Sequence, residues 1–297
     1  GGYVAADLYA VIREMRDLVS PHSYHSFEAM SEAFSLAMRK VPPSCLRGVS
    51  VTSHSKISFE DVIGCSEAKQ VLAKVFAAYQ PALRERLKRF NLLTPLGGVL
   101  LYGPPGNSKT RLVAAAAHSF RLPLIALTSA DIYSAYLGDA EAEVRKAFGL
   151  ARQAAPCILF FDEMDSLVAN RDDSQSSSAH NVEARVLATF LNEMDGINTH
   201  AGNAGVIVMG ATNRVDCIDP ALLRKGRFYQ SVYVAPPSQE ERQQLVWYFM
   251  QRNHVDSDRV EEIVSKCWEG MSGAEVENLC KEAALQQINM VLTPEHT

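Results

Sequence analysis

Gly98-Val-Leu-Leu-Tyr-Gly-Pro-Pro-Gly-Asn-Ser-Lys-Thr110 runs straight into the helical stretch Arg111–Phe120, and this strand, loop and helix decide the fold. Such a loop gathers successive backbone N–H groups at a helix N-terminus, where they can wrap a phosphate. Lys109 is placed to reach the β- and γ-phosphates, and the Thr110 hydroxyl to ligate magnesium. The cradle comprises Pro105, Gly106, Asn107, Ser108, Lys109, Thr110 and Arg111. A Pro/Gly turn that merely opens a helix is the alternative, and the Lys-Thr pair argues against it. The common pattern has glycine where Ser108 stands. A residue entering a helix is not expected to need positive φ, so binding should survive the serine. Its β-carbon is expected to crowd the phosphates and slow turnover.

Outward from this loop, four more short apolar runs read as strands: Leu122–Leu127, Cys157–Phe161, Gly205–Gly210 and Ser231–Val234. Several are unbroken and separated by helix-length segments, the pattern of a mainly parallel sheet buried on both faces. Residues 238–290 read as helical throughout. The expected fold class is therefore α/β, a three-layer P-loop domain with a mainly parallel five-stranded sheet, followed by a small all-α domain. Upstream, Phe27, Met30, Phe34 and Met38 recur at helical spacing, Pro42-Pro43 ends that helix, and 41–56 read as a linker. A further helix is expected over 65–90, and mobile loops over 172–180 and 198–204.

The bulk numbers exclude several classes. The 297 residues carry a net charge of −5, with 47% hydrophobic and 21% charged residues. That balance lacks the broad positive field of non-specific nucleic-acid binding, so no direct nucleic-acid contact is expected. The basic stretch from Arg84 to Arg89 reads as a solvated helix face. The six cysteines form no Cys-x-x-Cys pair and favour a reducing compartment, the cytoplasm or also the nucleus. His22 and His25 lack a second ligand pair, against zinc. No run approaches 18 apolar residues, so no membrane span is expected.

Cys157-Ile-Leu-Phe-Phe161 delivers Asp162-Glu163 at a strand end, where ligands of open α/β sheets gather. Asp162 is the expected magnesium holder and Glu163 the general base for an attacking water. Helix capping by the two carboxylates is the alternative. Val206–Gly210 leads to Asn213, which is placed to orient that water or, alone, to form a turn.

Gly-Pro-Pro-Gly-x-x-Lys-Thr, Phe-Phe-Asp-Glu-Met-Asp (160–165), Met-Asp-Gly (194–196), Gly-Ala-Thr-Asn-Arg (210–214) and Asp-Pro-Ala-Leu-Leu-Arg-Lys-Gly-Arg-Phe (219–228) occur in order. Together they resemble the AAA family of ATPases over about residues 57–297. The resemblance implies ATP/ADP and Mg2+ as cofactors and ATP hydrolysis between neighbouring subunits of a homo-hexameric ring, with protein substrates or adaptors as further partners. It makes Asn213 the first sensor and Arg224 and Arg227 arginine fingers for the adjacent subunit. It implies adenine recognition by backbone at Asp61, Ile63 and Gly64 and by Gly273 and Ala274 of the lid. A histidine frequent in the lid's first helix is replaced by Phe249. Tyr136 and Leu137 resemble a substrate-gripping pore loop, with Ala135 where lysine is usual.

The start of the chain echoes its end. Gly2-Tyr-Val-Ala-Ala-Asp-Leu8 with Arg13-Glu14 is similar to Gly270-Met-Ser-Gly-Ala-Glu-Val276 with Lys281-Glu282, each pairing offset by 268 residues. Chance likeness of two capped helices is one reading; the tail of an upstream copy is the other. The expected organisation is an upstream lid tail over 1–19 and an inter-module segment over 20–56. The large ATPase domain follows over 57–235, and a truncated helical lid over 236–297. This resembles the second ATPase module of a type II, valosin-containing-protein-like unfoldase. Ser108 and Ala130–Glu141 point within that group toward the spermatogenesis-associated AAA proteins, which act in ribosome maturation. A module that holds ATP with weak hydrolysis and stabilises a ring is the alternative function. A small-molecule kinase would share the phosphate loop but neither the 219–228 segment nor the N-terminal echo.

Overall fold

A computed structural model describes residues 5–18, 57–79, 97–133, 140–167, 179–199, 205–253 and 260–292, with single positions 30, 31, 33, 34, 36, 37, 41 and 89. In chain order the elements are α1 (Ala5–Leu18), α2 (Ser66–Tyr79), β1 (Val99–Tyr102), α3 (Lys109–Phe120), β2 (Leu124–Leu127), α4 (Ser129–Tyr133), α5 (Ala140–Ala154), β3 (Cys157–Phe161), α6 (Met164–Leu167), α7 (Ala179–Thr199), β4 (Val206–Thr212), β5 (Gln230–Tyr233), α8 (Gln239–Arg252), α9 (Val260–Ser265) and α10 (Gly273–Leu292). Two 3₁₀ turns, Val215–Cys217 and Pro220–Leu223, join β4 to β5.

The five strands form one parallel sheet in the order β2-β3-β4-β1-β5. Because side chains alternate across a strand, a sheet covered on both faces needs apolar residues at every position. β3 meets that demand completely, with all of Cys157–Phe161 buried. One face packs α5 and α7 through Phe148, Phe161 and Phe190. The other packs α2 and α3 through Leu72, Phe76, Leu112 and Ala116, with Phe76 stacked on Phe120 at 4.5 Å. The central β4 pairs with β1 on one side and β3 on the other, Gly210 facing both Leu100 and Phe161. A Cβ on Gly210 would collide with the Met164 sulfur and press on Leu100.

The lid core is separate and small, built from Leu245, Val246, Phe249, Ile263, Val276 and Cys280. The expectation of unbroken helix over 238–290 is corrected to three helices. Ser238 starts α8 with a reciprocal capping box to Glu241, Asn253 ends it, and Gly270, at φ 86, turns the chain into α10. Loop expectations shift at their edges: Ala179 and His180 belong to α7, as do Asn198 and Thr199. The remaining positions of both loops, 172–178 and 200–204, lie outside the described residues. The second half of the helix expected over 65–90 does so too, apart from Arg89. In the segment read as an amphipathic helix, Ala33 and Ala37 are buried while Phe34 is 45% exposed, and Phe27 and Met38 lie outside the described residues. α1 opens at Ala5 and α10 at Gly273, the pair of positions that the N-terminal echo aligns.

Candidate functional site

β1, β3 and β4 all point their carboxyl ends the same way, so the segments that follow them meet at one edge of the sheet. There a cleft of about 380 Å3 is lined by Pro105–Arg111, Asp162, Glu163 and Asn213 on the sheet side. Leu245, Phe249, Gly273, Ala274 and Glu277 close it from the lid. Its volume falls within the ordinary range for a small-molecule site.

The loop is shaped by backbone that only particular residues hold cheaply. Gly103 and Gly106 adopt φ 147 and 78. A Cβ on Gly106 would lie 2.9 Å from Ser272 Oγ and 3.1 Å from Ala274 Cβ, so this glycine permits the lid to sit against the loop. The Ala274 N–H donates to the Gly106 carbonyl at 3.0 Å. Ser108 caps α3 at φ 61 and ψ 21, in the left-handed region, without a side-chain cap. The expectation that this position needs no positive φ is therefore corrected. The serine bears a conformational cost of about 1–2 kcal/mol that glycine would escape. Its hydroxyl faces the lid, 3.8 Å from where a Cβ on Gly273 would stand.

Lys109 is 7% exposed, and its Nζ donates to the carbonyls of Gly103 and Pro104, each at 2.8 Å. Burial pushes its ammonium below the ordinary lysine value, while Asp162 and Asp165 pull the other way. A desolvated cation anchored by two carbonyls at the cleft suits an anionic phosphate. Thr110 Oγ1 donates to Asp162 Oδ2 at 2.7 Å, and the Glu163 N–H donates to Asp162 Oδ1 at 3.0 Å. Asp162 thus serves the loop and its own neighbour rather than the free amides of α6. Hydroxyl and carboxylate oxygens of this kind are the ligands that magnesium prefers, so the donor set fits Mg·ATP. Glu163 is a second non-glycine residue in the left-handed region, at φ 52, which swings it out of β3 into the cleft.

Asn213 follows β4 and is exposed on the same cleft. Behind it, buried Thr212 donates to Asp165 Oδ1 at 2.9 Å and accepts from the Arg214 N–H at 3.0 Å. This bond ties the end of β4 to α6. Sequence reasoning missed this pair although both lie in quoted motifs; a buried threonine at a strand end was the available signal. It also missed Glu277, one helical turn after Gly273 on the same face. Glu277 accepts from Arg111 at 3.4 Å and pairs with Lys281 at 2.8 Å, and the Arg111 guanidinium lies 6.0 Å from the Phe249 ring centre.

Other expected residues fall elsewhere. Asp61, Ile63 and Gly64 do not line the cleft among its described residues. Asp61 accepts from Ser58 at 2.6 and 2.9 Å and from Tyr248 at 3.4 Å, bonds that hold its carboxyl below the usual range. Ile63 packs into the lid core, and a Cβ on Gly64 would meet Glu241 Oε1 at 2.5 Å. Tyr136 and Leu137 lie outside the described residues. Arg224 is exposed at a tip, whereas Arg227 donates to Asp195 at 2.9 and 2.7 Å and to the Ala221 carbonyl at 2.8 Å.

Comparison with known proteins agrees with this geometry. A family model described as "ATPase family associated with various cellular activities (AAA)" matches residues 99–236. The chain is 37% identical over 282 residues to Cell division control protein 48 homolog B of Arabidopsis thaliana, covering 95% of the chain and 46% of that protein. It is 33% identical over 309 residues to Cell division cycle protein 48 homolog of Archaeoglobus fulgidus, covering 99% and 41%. It is 38% identical over 293 residues to ATPase family gene 2 protein of Schizosaccharomyces pombe, covering 95% and 35%. The chain therefore spans less than half the length of these curated relatives. Among the described residues no helix is long and apolar enough to cross a membrane.

Proposed function

Because the chain belongs to the AAA family of ATPases, we propose that it hydrolyses Mg·ATP as one module of a homo-hexameric ring and uses the cycle to unfold or remodel proteins. One observation carries the reading: Lys109, Thr110, Asp162, Glu163 and Asn213 converge on one cleft from three neighbouring strands. When bound, Mg·ATP supplies the phosphoanhydride bond and the Lewis acid that polarises it. The chain's own groups do the rest. The loop amides and Lys109 Nζ would hold the phosphates, and Thr110 Oγ1 and Asp162 Oδ2 would be the metal-side ligands. Glu163 takes a proton from water oriented by Asn213.

Arg224 and Arg227 belong to the segment that reaches the next subunit's nucleotide. A guanidinium supplied in trans is worth about 10³–10⁵ in rate in GTPase systems. Gly273 and Ala274 form the adenine side of the cleft, the resemblance alone adding Asp61, Ile63 and Gly64 from beyond its lining, and Tyr136-Leu137 form the grip on an extended polypeptide. The subfamily resemblance extends the clients to factors released during ribosome maturation. Free buried thiols support a reducing compartment, the cytoplasm or also the nucleus. The echo between α1 and α10 supports an upstream copy of the module.

The test is Glu163→Gln in the full-length, assembled protein with any upstream site left intact. Turnover should fall at least tenfold with nucleotide affinity kept, and unchanged turnover would exclude this site as the hydrolytic one. A second reading, an ATP-holding module with slow hydrolysis, is favoured by the left-handed Ser108 within the loop. It predicts retained ring assembly and little change in turnover for the same variant.

A further inference from the structure

The segment between β4 and β5 is a tight knot with two ends of different character. Asp219 accepts the Ala221 N–H at 2.8 Å and starts the Pro220–Leu223 turn. Leu222 and Phe228 are fully buried, and the Phe228 N–H closes back onto the Leu222 carbonyl at 2.9 Å. Between these anchors, Arg224–Arg227 form a four-residue turn, with the Arg227 N–H donating to the Arg224 carbonyl at 3.0 Å. Gly226 occupies the third position at φ 94, where nothing lies within 4 Å of an added Cβ. That is the backbone a type II turn requires.

Such a turn sends its first and last residues to different places. Arg224 and Lys225 stand exposed at the tip, and among the described residues no hydrogen bond or ion pair engages the Arg224 guanidinium. Arg227 folds back instead. Its Nε and Nη2 grip both carboxylate oxygens of Asp195 near the end of α7, and its Nη1 bonds the Ala221 carbonyl of the same knot. Its side chain is only 18% exposed. A fork-on-fork arginine–carboxylate pair is the strongest common ion-pair geometry and fixes orientation as well as energy. For Arg227 to meet a phosphate on another subunit, three bonds would have to break, leaving Asp195 without its fork.

We propose that the two arginines have separate jobs, Arg224 being the group that completes the neighbouring subunit's site and Arg227, clamped in cis by Asp195, the positioning residue that aims it. Asp195, part of the Met-Asp-Gly motif, thereby becomes a member of the trans-acting apparatus without approaching nucleotide. This inference rests on the ring reading above.

Charge reversal tests it in the full-length, assembled protein. Arg227→Asp and Asp195→Arg alone should each lower ATP turnover at least tenfold. The double variant restores a pair across the same gap and should recover most of the turnover. Arg224→Ala should lose about 10²-fold or more, with ADP affinity and melting temperature unchanged. A double variant that regains wild-type melting temperature but stays as slow as Arg227→Asp would overturn the proposal, since it would mean that the guanidinium of Arg227 itself meets the phosphates. If the double variant regains neither, Asp195→Asn decides: turnover at or above wild type overturns the clamp, and a drop matching Arg227→Gln supports it. Glu163→Gln is assayed alongside, so that unchanged turnover there marks failure of the hydrolytic reading rather than of the clamp.

Discussion

Thr110 Oγ1 lies 2.7 Å from Asp162 Oδ2, joining the first turn of α3 to the end of β3 across 52 residues of chain. Because β4 separates β1 from β3 in the sheet, this bond bridges two strands that never touch. It holds together the two oxygens that a magnesium ion would take.

Replacing Thr110 by valine keeps the β-branched shape and removes the hydroxyl. Turnover should drop at least tenfold and should no longer depend on magnesium in the normal way. Stability should change by only about 1 kcal/mol, the scale of one hydrogen bond at an exposed position. Magnesium titrations of ADP release, with a urea melt beside them, check both halves.

Ser108→Gly should stabilise the module. Escape from the left-handed penalty of about 1–2 kcal/mol outweighs the roughly 0.5–1 kcal/mol of unfolded-state entropy that glycine adds. A net gain of up to about 1.5 kcal/mol, together with faster turnover, is the expected result. Thermal melting and steady-state ATPase rates measure it, and a slower, less stable variant would contradict the loop's strained geometry.

The Asp195 carboxyl is held below its ordinary range mainly by the hydrogen bonds from Arg227. A depressed folded-state value means that the pair stabilises the fold fully above roughly pH 4, the unfolded carboxylate value, and loses that contribution as pH falls through the folded value. Asp195 is half exposed, so solvent screening keeps the effect to less than about 1 kcal/mol. Denaturation of wild type and Arg227→Gln should differ most at pH 7 and converge in acid.

Cys157 and Cys280 have their thiols pushed up to about 12 by burial. Both should resist alkylation at pH 8 in the native state, whereas Cys65, Cys217 and Cys267 are only partly buried and should be labelled first. Counting labelled sites by mass spectrometry before and after unfolding gives the answer.

Much of this was legible in the residues because it is written in local patterns. Cys157–Phe161 reads as a doubly covered strand, and Gly103–Thr110 as a phosphate loop, before any coordinates exist. What could not be read is what depends on distant partners or on backbone torsions. Ser108 looks like an ordinary helix entrance, and its positive φ appears only in the folded loop. Arg224 and Arg227 look equivalent in sequence, yet Asp195, on another helix, captures one of them. Phe34 keeps helical spacing and still faces solvent, since periodicity names a face without saying what covers it.

Gly210 exposes the site to damage from behind. It does not line the cleft, yet a single methyl there would strike the sulfur of Met164, the residue after Glu163. Overpacking of this kind costs typically 1–3 kcal/mol, and the side chain it displaces opens α6, next in sequence to Glu163. A chain bearing Gly210→Ala could therefore fold, keep every residue of its cleft, and still turn over ATP slowly.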